Sequence, residues 1–156
     1  MKKQRRATRN NPATEPAPLT RRKMTDAEVL SMITPYYPMF APLQFFETAV
    51  FEMLDSWCDD YDGGVWSYFK LSNGAWYLAP NDEGTYRVKD HAGWEHEMSP
   101  DGAGLTATLH MLHRLTWHFH EAGDRAKCDV VSEHYHALRM YTYPHLDATA
   151  IWRVLD

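Results

Sequence analysis

The sequence predicts a single α+β domain, in which a small antiparallel sheet of three to four strands packs with four to five helices. Three observations predict it. Residues 63–80, GGVWSYFKLSNGAWYLAP, read as two strands around Asn73-Gly74. Apolar residues recur at helical spacing on both sides of that hairpin: Leu43, Phe46, Val50, Met53, Leu54 and Trp57 before it, and Leu105, Leu109, Leu112 and Phe119 after it. Short turn-forming connections follow the hairpin, which favours a meander over parallel crossovers.

Composition sets the outer limits. At 156 residues, 44% hydrophobic and 13% aromatic, the chain has material for one core. No apolar run approaches the roughly 18 residues that span a membrane, and the charged start lacks the apolar core of a secretory signal, so the cytoplasm is the expected location. Cys58 and Cys128 lie far apart on predicted helices and are expected as free thiols. The net charge of −5 hides an asymmetry: residues 1–24 hold eight of the 16 Lys and Arg and one acid, which leaves eight basic and 20 acidic residues in 25–156, a net of −12. An acidic domain of this kind has the wrong sign for a phosphate backbone, so direct sequence-specific DNA binding is not expected of it.

In chain order, residues 1–24 carry Pro, Ala, Asn and Thr between charges and predict a disordered basic tail before a domain over 25–156. Thr25-Asp26-Ala27-Glu28 is a capping box that opens a short helix over 26–33, ended by Pro35 and Pro38. Tyr36, Tyr37, Met39 and Phe40 then cross the surface as an extended cover. A helix over 42–58 begins on Pro42 at its first turn. Asp55, Asp59, Asp60 and Asp62 gather at its C-terminal end, against the macrodipole. Asn73-Gly74 predicts a two-residue type I′ turn. Alternation puts Val65, Ser67, Phe69 and Leu71 on one face and Trp66, Tyr68 and Lys70 on the other, so one face is expected against helices and the other as an aromatic surface. Two more strands are expected over 85–89 and 94–98. Ser99-Pro100-Asp101 starts a long helix over 100–122, where Gly102 and Gly104 point to close backbone packing or a bound group. Asp124 caps a helix of about 18 residues; Pro144 separates it from a last one over 146–155.

No nucleophile elbow, phosphate loop, dinucleotide fingerprint or zinc motif occurs, so catalysis has no signature in the residues. His110, His113 and His120 share a helical stripe with Trp117, which leaves a metal-dependent enzyme as one alternative; a nucleic-acid-associated accessory protein using the basic tail is another. The aromatic excess is more telling. Trp66, Tyr68, Trp76, Tyr77 and Trp94 fall in or beside the sheet, and those not needed for the core would form a recognition face rimmed by acids. The candidate partner-binding residues are therefore Asp59, Asp60, Asp62, Trp66, Tyr68 and Trp76.

Three stretches carry a family resemblance. Gly63-Gly64-x-Trp66, Leu71-Ser72-Asn73-Gly74, Tyr77 and Ala79-Pro80 form the first. Ser99-Pro100-Asp101-Gly102-Ala103-Gly104-Leu105-Thr106-Ala107-Thr108-Leu109 is the second, and Tyr135-His136-x-Leu138-Arg139-x-Tyr141 with His145, Ala150-Ile151 and Asp156 the third. In this order and spacing they resemble the ArdB/KlcA-type antirestriction proteins of plasmids, phages and genomic islands, over about Pro42 to Asp156. The resemblance implies a protein that counters host type I restriction endonucleases and so protects incoming mobile DNA. It implies no cofactor and no catalysis, and a partner that is the endonuclease or an associated host protein. The contact mechanism would be either charge mimicry of DNA by the Asp55–Asp62 acids or a specific protein–protein contact through the aromatic face. The basic tail and the histidine-rich helix depart from the family pattern.

Overall fold

The computed structural model describes residues 17–36 and 43–156. The readings made on the tail up to Pro16, and on Tyr37, Pro38, Met39, Phe40 and Pro42, lie outside the described residues. The element order is β1 (Arg21–Lys23), α1 (Asp26–Tyr36), α2 (Leu43–Trp57), β2 (Trp66–Leu71), β3 (Trp76–Pro80), β4 (Tyr86–Lys89), β5 (Glu95–Met98), α3 (Pro100–Glu121), α4 (Arg125–Thr142) and α5 (Ala148–Leu155). This is the expected α+β class, with five helices and five antiparallel strands among the described residues. None of these helices is long and apolar enough to cross a membrane.

Local signals place most helix ends. Glu28 N–H donates to Thr25 Oγ1 at 3.3 Å and Thr25 N–H to Glu28 Oε2 at 2.9 Å, the reciprocal bonds of a capping box. Ser99 Oγ accepts from Gly102 N–H at 3.1 Å with Pro100 in the first turn, and Asp124 accepts from Lys127 N–H at 3.2 Å. α1 runs on to Tyr36, past the Ile33 end that Pro35 predicts.

Four expectations are corrected. First, residues 21–23 are not tail: they form β1, antiparallel to β2 with Arg21 opposite Leu71 and Lys23 opposite Phe69. Ser72 N–H donates to Thr20 C=O at 3.0 Å and Met24 N–H to Tyr68 C=O at 2.9 Å. A strand of three charged residues has no apolar alternation to betray it; the β2 edge supplies its order.

Second, the hairpin turn is not type I′. Leu71 N–H donates to Ala75 C=O at 2.8 Å and Gly74 N–H to Leu71 C=O at 3.0 Å. Gly74 has φ +91°, while no described non-glycine residue has positive φ. Ser72–Gly74 is therefore a three-residue loop with glycine at the left-handed position. Asn73 is freed to donate from Nδ2 to Ala137 C=O at 2.8 Å, which ties the hairpin tip to α4.

Third, the meander divides. β1, β2 and β3 form one sheet, and β4 and β5 pair with each other in a second. Pro80 ends β3 and the Asn81–Gly84 connection turns the chain out of the first sheet.

Fourth, the hairpin has no open aromatic face. On one face Trp76 meets Phe46, Tyr36 and Tyr68 at ring centroids of 5.7, 5.8 and 5.7 Å, and Trp66 meets Phe51 at 4.7 Å. On the other, Phe69 stacks on Tyr77 at 5.5 Å, Tyr77 meets Tyr141 at 6.0 Å, and the Gly104 turn of α3 lies on Ala79.

α3 is the axis of the core. Every residue from Gly102 to Leu109 is buried, because α2, α4, α5 and β3 all pack around this half of the helix. The small residues at Gly102, Ala103, Gly104 and Ala107 permit that crowding. β3 is a buried sheet edge, and its spare backbone groups find side chains. Leu78 N–H donates to Thr108 Oγ1 at 3.2 Å, and His134 Nε2 lies 2.8 Å from Trp76 C=O and 3.2 Å from its N–H.

Candidate functional site

The densest polar cluster among the described residues sits at the start of α3. The helix start orients Asp101 toward side chains from three other parts of the chain. Its Oδ1 accepts from Tyr77 Oη and from Arg21 Nη1, both at 2.8 Å, and Oδ2 lies 3.0 Å from His145 Nε2. His145 Nδ1 accepts from Asp147 N–H at 3.0 Å, so Nε2 carries the proton and donates to Asp101. Asp147 Oδ2 in turn accepts from Ser99 N–H at 3.0 Å and from the Ser99 hydroxyl. The Arg21 guanidinium also lies 4.4 Å over the Phe69 ring.

Burial works to raise the Asp101 carboxyl, but the bonds from His145 and Tyr77 and the charge of Arg21 outweigh it and hold the group below the usual range. Burial and the Asp101 charge push the Tyr77 phenol far up. A carboxylate engaged by three donors and a phenol held neutral leave no base or nucleophile free to work. The network instead pins β1, β3, α3 and the α4–α5 connection to one another.

A second cluster lies on the surface where α2 hands over to β2. Asp60 receives Arg87 at 2.8 and 2.9 Å, Arg87 also reaches Glu95 at 3.4 Å, and Lys89 Nζ lies 2.6 Å from Asp59. Bonding from Arg87, acting against a smaller effect of burial, holds the Asp60 carboxyl below its ordinary value. The acids at the α2 terminus, unfavourable against the helix dipole, thus meet cations from β4. At the end of the β4–β5 hairpin, Asp90 Oδ1 accepts from the N–H groups of Ala92 and Trp94, both at 2.9 Å. This turn holds Trp94 outward with 73% of its surface exposed.

The structure divides the candidate residues. Asp59, Asp60 and Asp62 are exposed and lie together before β2. Trp76 is 2% exposed, Tyr68 8%, and Trp66 is half-buried with Nε1 donating to Tyr61 Oη at 2.8 Å. Tyr68 and Trp76 therefore cannot form a free recognition face, because α1 and α2 cover it. Trp94 is the sheet-associated tryptophan left in solvent. Its signal was present in the sequence: a lone tryptophan after Gly93 followed by Glu95, His96 and Glu97. Arg21, His145 and His134 had no such local signal, since each acts on a residue distant in the chain.

The histidines of the stripe contact aromatic side chains. His110 packs edge-on against Trp57 at 4.7 Å, and His113 Nε2 accepts from Trp117 Nε1 at 3.0 Å. Among the described residues no three His, Cys, Asp or Glu side chains gather as a metal site. Cys58 and Cys128 are free; Cys58 is buried and Cys128 donates to Thr116 C=O at 3.5 Å.

His134 makes stability depend on pH. Burial lowers its pKa from 6.5 to about 4, against a smaller raising effect of the Trp76 carbonyl. Below pH 6.5 the unfolded chain takes up a proton that the folded ring refuses. Stability is therefore full above that value and falls as pH drops toward 4, by about 3 kcal/mol for this group. His110, lowered to about 4 chiefly by burial, adds in the same direction. Urea unfolding at pH 7.5, 6 and 5 should show this loss, and a His134→Gln chain should show a shallower slope. Equal slopes would remove His134 as the cause.

Comparison with known proteins places this geometry. The family model described as "Antirestriction protein" matches residues 59–156. The chain is 33% identical over 143 residues to an antirestriction protein KlcA from Escherichia coli, covering 90% of this chain and 96% of that one. A second Escherichia coli KlcA is 34% identical over 144 residues, covering 92% and 99%. The fold matches a solved structure of the KlcA and ArdB proteins with a TM-score of 0.76 and 32% identity, over 92% of this chain and 99% of the other. Those proteins show antirestriction activity against type I DNA restriction systems in vivo but not in vitro.

Proposed function

Because this chain belongs to the antirestriction protein family, we propose that it counters host type I restriction endonucleases and so protects incoming mobile DNA. It does so in the cytoplasm by protein–protein contact, with no cofactor and no chemistry of its own. The observation that carries the reading is the fold shared along nearly the whole chain with KlcA and ArdB. Their activity in cells and its absence in vitro favour a contact that needs a further host component besides the nuclease. The saturated Asp101 network, which offers no free acid or base, is in keeping with a non-catalytic role.

The contact surface is the acidic rim with Trp94: Asp59, Asp60 and Asp62 beside the β4–β5 hairpin. Charge mimicry of DNA is disfavoured by Lys89 and Arg87, which neutralise Asp59 and Asp60 where phosphate-like charge would be needed. An exposed tryptophan ringed by polar groups is the side chain that most often anchors a protein contact.

A plating assay tests both levels. Unmodified phage is plated on bacteria with a type I restriction system, with and without the protein. The expected result is a rise in plating efficiency that requires the active nuclease. Trp94→Ala should lower that rise at least about 10-fold, as for a contact worth more than about 1.4 kcal/mol, while leaving the melting profile unchanged. Folded protein without a rise across several type I families overturns the antirestriction reading. Full protection by Trp94→Ala removes the rim alone.

A further inference from the structure

β1 is the strand of the first sheet with the least to hold it. It is three residues long, all exposed, and it covers the edge of β2. Its two arginines are read on opposite faces. Arg21 enters a socket formed by Asp101 Oδ1 at 2.8 Å, Tyr77 Oη at 3.5 Å and the Phe69 ring at 4.4 Å. Arg22 makes a two-pronged bond to Glu28 at 2.6 and 2.9 Å. The socket does not need β1 for its shape. Asp101 is fixed by α3 and by His145, Tyr77 by β3 and Phe69 by β2.

We propose that the Asp101–Tyr77–Phe69 socket and the β2 edge form a peptide-binding site, occupied in this structure by the chain's own residues 20–24. In trans it takes an extended segment of a partner protein carrying arginine followed by a second basic residue. Three features argue for that occupant. The backbone of β2 offers a ladder that any extended segment can complete. Asp101 with an aromatic floor selects guanidinium over ammonium, because the planar group bonds the carboxylate and stacks on Phe69 together. The domain over 25–156 carries a net of −12, which draws a basic segment to it. The three residues of β1 are all exposed, so apart from the Arg21 socket its opening uncovers little apolar surface before Met24, where the chain enters the core, and a partner segment competes with it by mass action. The proposal stands independently of the restriction target.

The test uses a fluorescein-labelled peptide of residues 17–25 and its Arg21→Ala version, titrated into the full chain and followed by anisotropy. The native peptide should bind at least 10-fold more tightly than its Arg21→Ala version. An Arg21→Ala chain, its socket emptied, should bind the native peptide more tightly again, and an Asp101→Asn chain should lose the discrimination. Because the discriminating change is in the peptide, the comparison holds even where a chain variant folds poorly. Equal binding of the two peptides overturns the socket. Amide exchange at Met24 and Ser72 as slow as within β2–β3 also overturns it, since the edge would never open. A concentration-dependent dimer that requires Arg21 would hand the site to a second copy and overturn the partner assignment.

Discussion

Replacing Trp76 by alanine should destabilise the protein by about 3–5 kcal/mol, the usual cost of emptying a buried aromatic position. The ring lies in a shell of Tyr36, Phe46, Tyr68 and His134, the last with its ring centroid 4.4 Å away, and the residue is buried. The lower end of the range is favoured by one detail. Among the described residues Trp76 Nε1 is buried without a hydrogen-bond partner, and its removal relieves a penalty of about 1–3 kcal/mol. Trp76→Phe, which keeps the ring and drops the orphan N–H, should therefore cost less than Trp76→Ala by a wide margin. Against a typical total of about 5–15 kcal/mol, the alanine variant loses a large share of its stability. Urea unfolding decides the matter. A loss under about 1 kcal/mol would mean that Trp76 is not packed in the core.

Gly104→Ala should also destabilise, by about 2–3 kcal/mol, although helix propensity alone predicts a gain of about 1 kcal/mol. The sign is decided by β3. A Cβ at Gly104 would lie 2.6 Å from Ala79 Cβ and closer still to Ala79 Cα and Leu78 C=O. The nearest atoms are backbone of a strand tied to β2 on one side and to Thr108 on the other, so they cannot rotate away as a side chain would. The helix must lift from the sheet, and the core around Leu105 and Leu109 loosens with it. A measured rise in stability would show that α3 and β3 are not in close contact.

The two predictions rest on contacts of different legibility. Gly102 and Gly104 flagged close packing in the sequence, because glycine weakens a helix and needs a reason there. Trp76 read equally well as core or as surface, since an aromatic strand residue pairs with either. The same division runs through the site. Asp59, Asp60 and Asp62 were visible as a cluster, but their cations, Arg87 and Lys89, come from β4. Trp94 became the exposed anchor only once α1 and α2 had covered Trp76 and Tyr68.

By itself the sequence determined what neighbouring residues settle between them. The Thr25–Glu28 box, the Ser99-Pro100 start, the Asp124 cap, the amphipathic stripe of α2 and the hairpin around Gly74 all rest on bonds or spacings of a few residues. Those energies are present in any fold the chain could adopt. Only the tertiary structure decided the rest: that Arg21 joins Asp101 across 80 positions, that His134 completes the β3 edge across 58, and that β4 and β5 leave the first sheet. Such contacts depend on which faces the packed helices cover. A polar strand such as Arg21–Lys23 carries no apolar period to announce it, and it becomes ordered only because an edge and a half-buried carboxylate are already in place.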